Sequence, residues 1–105
     1  MKRYWLEYHD AAVTELDEIH AFIAAYAGDA VADRKISEIE AAVYRLAEYP
    51  KISTPRDEMR PGLRTVMAAE KAVICFLVND EIATVRIIGF SYAGSDWASR
   101  VKDRD

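Results

Sequence analysis

The spacing of apolar residues along the chain changes several times, and each change marks an element. Tyr4, Leu6 and Tyr8 alternate with Arg3, Trp5 and Glu7, so the period of two over Lys2 to Tyr8 predicts a short strand. From Asp10 the spacing lengthens to threes and fours through Ala12, Leu16, Ile19, Ile23 and Tyr26, the stripe of an amphipathic helix. Asp10 is suited to cap that helix or sit in its first turn, where its carboxylate meets free N–H groups and the positive end of the helix dipole. Gly28 suits the left-handed residue that ends it. Asp29 is then read as the cap of a second helix, whose stripe is Ala32, Ile36, Ile39, Val43 and Leu46. This helix should end at Tyr49-Pro50, because proline disfavours helical geometry at the residue before it. Two helices joined by a Gly-Asp turn predict an antiparallel hairpin.

Between Pro50 and Gly62 the period is lost, and Pro55 and Pro61 punctuate a polar connecting loop. Leu63, Thr65 and Met67 then alternate with Arg64 and Val66, which predicts a second strand. Ala72 to Val78 is an unbroken apolar run of strand length, read as a strand buried on both faces. After the turn Asn79-Asp80-Glu81, Ile82 to Ile88 sets Ala83, Val85 and Ile87 against Thr84, Arg86 and Ile88, a fourth strand with one mixed face. Gly89 to Asp105 show no period. The expected class is therefore α+β, in the order β-α-α-β-β-β, with the last strands pairing as an antiparallel meander and the helical hairpin covering one sheet face. A single domain over residues 1–105, with residues 90–105 as a C-terminal tail, accounts for the whole chain.

Composition narrows the function classes. The 105 residues, 51% of them apolar, are enough for one ordered core and too few for separate cofactor and substrate lobes. A net charge of −4 argues against a general nucleic-acid binder, since phosphate binding relies on Lys and Arg. The charge is uneven: residues 1–50 hold five Lys or Arg against ten Asp or Glu, a balance of −5, and residues 51–105 hold nine against eight, a balance of +1. One cysteine, Cys75, supports neither an internal disulfide nor a thiolate metal cluster. No apolar run has the length of a membrane span, and Met1 to Asp10 lack the apolar stretch of a signal peptide, so a cytoplasmic protein with no membrane partner is expected.

Candidate chemistry is sparse. Gly-x-Gly-x-x-Gly, Walker, His-Glu-x-x-His and Gly-x-Ser-x-Gly motifs are absent from the sequence, so no cofactor and no metal are expected. Both histidines, His9 and His20, fall at the start and middle of the first helix, away from the basic half of the chain. Cys75 is read as a small buried residue of the central strand rather than a nucleophile. Glu15, Asp17, Glu18, Asp33, Glu38 and Glu40 are read as a solvated helix surface, against the alternative of a metal or basic-partner site. Arg56, Arg60 and Arg64 recur every four positions, and Arg86 lies on the mixed face of the fourth strand. The planar guanidinium fork suits carboxylate or phosphate recognition. For Arg56 and Arg60 that reading stands beside another, in which they pair with Asp57 and Glu58 and stiffen the loop. Tyr92 and Trp97, with Arg100, Lys102 and Arg104, put aromatic and basic groups near the C-terminus, to engage a partner or to fold back over the sheet.

These elements carry a resemblance. The helix opening Asp10-Ala11-Ala12 with Glu15-Leu16-Asp17-Glu18-Ile19, the ending Leu46-Ala47-Glu48-Tyr49-Pro50, the strands Val73-Ile74-Cys75-Phe76 and Val85-Arg86-Ile87-Ile88, and above all the segment from Pro55-Arg56-Asp57-Glu58 to Gly62-Leu63-Arg64 resemble the ParE branch of the RelE/ParE toxin superfamily over residues 2–90. The resemblance implies a toxin of a bacterial type II toxin–antitoxin pair that inhibits DNA gyrase. It implies a ParD-like antitoxin of ribbon-helix-helix type, through which alone the toxin meets DNA. Arg64, Arg86, Tyr92 and Trp97 are then candidates for target binding, and Arg56 and Arg60 for antitoxin binding. No catalytic residue is assigned on this reading. Where many ParE chains follow the last strand with His-Gly-Arg, this one reads Gly89-Phe90-Ser91-Tyr92.

Two other readings share the fold. A RelE-like ribosome-dependent endoribonuclease would use Arg64, Arg86 and Tyr92, and a non-toxic relative would serve complex formation and operon regulation. The acidic balance, the lack of histidine in the sheet half and the Pro-Arg-Asp-Glu segment favour the gyrase-directed reading over the nuclease.

Overall fold

A computed structural model describes residues 3–105, so Lys2, where the first alternation begins, lies outside the described residues. The elements run β1 (Trp5–Tyr8), α1 (Asp10–Ala27), α2 (Asp29–Leu46), a 3-10 turn (Pro50–Ile52), β2 (Thr54–Pro55), β3 (Leu63–Ala68), β4 (Ala72–Asn79), β5 (Thr84–Tyr92) and α3 (Trp97–Val101). The mixed α+β class is as expected, enlarged by the short β2 and by α3.

Local chemistry sets the helix ends. The cap of α1 is His9, whose Nδ1 accepts the Ala11 N–H at 3.0 Å, and Asp10 stands in the first turn near the helix dipole. Gly28 joins the helices at φ +92°, a conformation that side chains disfavour, and its N–H reaches the Ala24 carbonyl at 3.0 Å. Asp29 is the first residue of α2 and not its cap. The helix stops at Leu46, earlier than the proline alone implies, because Ala47 and Glu48 already form a turn leading to Tyr49, which is non-helical at φ −133° and ψ 61° before Pro50.

The five strands lie in the order β1-β5-β4-β3-β2. β1 runs parallel to β5, and the other pairs are antiparallel. The hairpin lays Ala12, Ile19, Ile23, Ala32, Ile39, Val43 and Leu46 against Ile74, Phe76, Val85, Ile87 and Phe90, all buried. Tyr26, expected in this stripe, is 60% exposed; it lies in the last turn of α1 and packs edge-on against Phe22 instead. β4 is buried on both sides, as its unbroken apolar run predicts, with Ile74 and Phe76 facing the helices and Cys75 facing the other way.

The last strand departs most from its expected bounds. It begins at Thr84 because the Asn79 side chain accepts the Glu81 and Ile82 N–H groups and holds Ile82 in the turn. It continues to Tyr92, beyond Ile88, through a bulge: Cys75 pairs with Gly89 while Phe76 pairs with Ile87, leaving Ile88 as an extra residue. The bulge reverses the parity, so that Val85 and Ile87 before it and Phe90 and Tyr92 after it all face the helices. Residues 90–92 thus belong to the sheet rather than to the tail.

Candidate functional site on the outer sheet face

The sheet face away from the hairpin carries a smaller core of Leu63, Cys75, Ile88 and Val101, flanked by Val73, Leu77 and Trp97. It is closed by the C-terminal segment. Tyr92 leads into a turn through Ala93 and Gly94, both at positive φ, and Asp96 then caps α3: its carboxylate accepts the Ser99 N–H at 3.3 Å and the Ser99 hydroxyl at 2.6 Å. Val101 settles on the bulge. A Cβ at Gly89 would stand 2.5 Å from Val101 Cγ1, so only glycine permits this approach.

Glu15 anchors the segment. It was expected on the solvated acidic surface, yet it is 6% exposed. Its carboxylate receives the Arg104 guanidinium in a two-point contact at 2.8 and 3.0 Å, Arg100 at 3.2 Å and the Phe90 N–H at 3.1 Å. Arg104 also donates to the Ile88 carbonyl at 2.9 Å. These side chains satisfy the β5 edge beyond the end of β1, whose last pair is Tyr8 with Ile87. Glu15 lies on the apolar stripe, three residues after Ala12 and four before Ile19, and that position is the signal the sequence reading missed. Asp17, Glu18, Asp33, Glu38 and Glu40 are exposed, as expected.

The candidate arginines divide between the faces. Arg60 donates to the Val101 carbonyl at 2.9 Å and to the Arg104 carbonyl, and Arg86 donates to the Asp105 carbonyl at 2.7 Å and pairs with Glu7 at 3.3 Å. Arg56 lies 5.9 Å from the Trp97 ring centroid, bonds Thr65 Oγ1 at 3.3 Å and pairs with Glu58 at 3.7 Å. Arg56, Arg60, Arg86 and Trp97 therefore gather around the C-terminal segment. Arg64 does not join them. It shares the parity of Val66 and Ala68, facing the hairpin side, and donates to the Ser53 carbonyl at 3.2 Å. Tyr92 also faces the hairpin, beside Phe22 in a cleft of 230 Å³ that Arg100 lines. A hydrogen bond with Tyr26, then burial, pushes the Tyr92 hydroxyl up to about 12.

Burial likewise pushes the Cys75 thiol up to about 12, which keeps it protonated and unreactive at neutral pH. His9 is used as a cap, and His20 bonds Asp33 at 2.7 Å between the two helices. Among the described residues no group of three His, Cys, Asp or Glu side chains could hold a metal. None of the described helices is long and apolar enough to cross a membrane. On the outer face the guanidinium groups of Arg60, Arg86 and Arg104 thus bind carbonyls of the chain's own C-terminal segment and bulge beside an apolar strip.

Comparison with known proteins agrees with this architecture. Residues 6–97 match the family described as the ParE toxin of the type II toxin–antitoxin system parDE. The chain is 28% identical over 74 residues to Toxin ParE3 of Caulobacter vibrioides, covering 70% of this chain and 74% of that protein. Among solved structures, the chromosomal ParDE system from P. aeruginosa superposes with a TM-score of 0.75 at 19% identity, over 89% of this chain and 99% of that one. The toxin–antitoxin complex RelBE2 from Mycobacterium tuberculosis gives 0.64 at 19% identity, over 89% and 94%. The fold is thus shared by ParE and RelE toxins.

Proposed function

The chain belongs to the ParE toxin family of type II toxin–antitoxin systems, and from that premise we propose that it inhibits DNA gyrase and is neutralised by a ParD-like antitoxin of ribbon-helix-helix type. The observation that carries the reading is the family match itself, which runs from the first strand through the hairpin and sheet into α3. The antitoxin partnership draws further support from the similar solved structures, whose names are those of toxin–antitoxin systems. We assign the target contact to Arg86 and Trp97 with the C-terminal segment around them, and the antitoxin contact to the rim formed by Arg56 and Arg60. Arg64 and Tyr92 face the hairpin side, so a target that engaged them as well would have to wrap a sheet edge.

The nuclease alternative needs Arg64, Arg86 and Tyr92 around one phosphate. Their division between two faces favours a binding inhibitor over that chemistry. The test is a supercoiling assay with purified gyrase. Loss of supercoiling or accumulation of cleaved DNA, reversed by the antitoxin encoded beside the toxin gene, is expected. Unchanged gyrase together with mRNA cut at ribosome-bound codons would overturn the reading in favour of the nuclease, and harmless overexpression would favour a non-toxic relative.

A further inference from the structure

Where β5 runs on beyond β1, the hairpin and the C-terminal segment enclose the cleft of 230 Å³. Ile19 and Phe22 of α1 face Phe90 and Tyr92 of β5 across it, and the Phe22 and Tyr92 rings stand edge to face at 6.2 Å and 67°. Phe22 is 55% exposed, so much of its ring is open to solvent. Ser91 also lines the cleft. It is 2% exposed, yet its hydroxyl has no hydrogen-bond partner among the described residues. A buried hydroxyl without a partner is uncommon, and this one borders a space that a ligand can enter. Phe90, Ser91 and Tyr92 come from the stretch that departs from the His-Gly-Arg of many ParE chains, so the cleft draws on the residues that set this chain apart from that pattern.

We propose that this cleft binds a small neutral aromatic molecule of the phenol or indole class, with its ring against Phe22 and Tyr92 and its N–H or O–H on the Ser91 hydroxyl. Size limits the ligand to one or two fused rings, since 230 Å³ is below the about 300 Å³ at which pockets for larger ligands begin. Charge excludes an ion. Arg100 is already committed to Glu15 at 3.2 Å, Ser95 Oγ at 3.1 Å and the Asp96 carbonyl at 3.2 Å, and exposed Glu18 sets the opposite sign beside it. The rings supply edge-to-face and stacking partners, and the hydroxyl, able to donate or accept, selects a ring with a polar atom. A protein segment is a poorer occupant, because the backbone groups it would bond on the β5 edge are taken. Glu15 accepts the Phe90 N–H at 3.1 Å, Arg100 donates to the Phe90 carbonyl at 3.5 Å, and Ser95 accepts the Tyr92 N–H at 3.4 Å. The proposal goes beyond the gyrase reading and stands without it.

The test is a titration of the ¹⁵N-labelled full chain with indole. Saturable shifts are expected at the Phe22, Ser91 and Tyr92 amides, with a Kd at or below about 1 mM. Phe22→Ala removes an exposed ring and should weaken binding by about tenfold. 1-Methylindole, which lacks the N–H, should bind wild type about fivefold more weakly than indole does. In Ser91→Ala the two ligands should bind equally, since the hydroxyl that tells them apart is gone. A discrimination that survives in Ser91→Ala would trace it to the bulk of the methyl group and overturn the assignment of Ser91. The spectrum of the rest of the chain verifies the fold of each variant. Should Ser91→Ala unfold, Phe22→Ala and the indole pair on wild type decide. Absence of saturable shifts, shifts centred elsewhere, or equal binding by wild type and Phe22→Ala would also overturn the proposal. So would a tripeptide Ala-Trp-Ala that binds at least about tenfold more tightly than indole, which would make the occupant a protein side chain. The titration reads no toxin activity, so its failure and the failure of the supercoiling assay are separate results.

Discussion

The two faces of the sheet are closed by different physics. On one, two helices of 18 residues each bury a continuous apolar layer against β4 and β5. On the other, a five-residue helix covers a four-residue core and is held in place by Glu15, Arg60, Arg86 and Arg104. Area dominates the first, and a few directed charge-assisted bonds dominate the second. The contrast predicts that the C-terminal segment is a separable layer, whose release would leave the hairpin folded, whereas loss of the hairpin core would take the whole sheet with it.

The harshest challenge to this distinction is Phe76→Ala. Phe76 is fully buried between β4 and the hairpin. Truncation should cost about 3–5 kcal/mol, a large part of the stability of a small domain. In a urea titration, circular dichroism and Trp97 fluorescence, read in a Trp5→Phe background, should shift together to lower midpoints. A tail signal that stays behind would mean that the outer layer is stable without the core.

Glu15→Gln attacks the other layer. The amide still accepts the Phe90 N–H but leaves Arg104 and Arg100 without their carboxylate, a loss of about 2–3 kcal/mol. The Trp97 signal should now change at lower urea than the circular dichroism, splitting one transition into two. Coincident transitions would make the two faces a single cooperative unit.

What the sequence disclosed follows the same division. The hairpin and β4 were legible because long amphipathic stripes and an unbroken apolar run are local patterns. The outer layer was not. β2 is two residues long and exists only because β3 supplies its register, and α3 is too short to display a helical period. The bulge at Ile88 breaks the alternation that would have announced residues 89–92 as strand. Glu15 was placed among the solvated acids because its partner Arg104 lies 89 positions away, although its place on the apolar stripe already set it apart. Of the candidate arginines, the neighbourhood of Arg56, Arg60 and Arg86 depends on where the C-terminus lands, which no local spacing encodes. The opposite facing of Arg64 was already implicit in its alternation with Leu63.

Gly89→Ala tests the packing between the layers. The added methyl would meet Val101 Cγ1 at 2.5 Å, and the tail must shift at a cost of about 1–3 kcal/mol. Val101→Ala in the same chain removes the clashing methyls. A double-mutant cycle should therefore show a favourable coupling between the two substitutions. Independent, additive effects would mean that Val101 does not press on the bulge.

The smallest effect is chemical. Cys75 belongs to the outer core, and burial raises its thiol from 9.0 to about 12. In the unfolded chain the thiol ionises first, so above pH 9 the unfolded state binds fewer protons and stability must fall as pH rises towards 12. Below that window the contribution is intact. Comparing wild type with Cys75→Ala cancels the other titrating groups, Tyr92 included, and the difference should narrow by about 1 kcal/mol between pH 8 and 10. The same thiol reports on which layer opens. If the C-terminal segment separates alone, Glu15→Gln should speed labelling of Cys75 by a thiol reagent while the amides of the hairpin stay protected from exchange. If labelling occurs only through global unfolding, its rate will instead follow the hairpin amides in every variant, and the two-layer account fails.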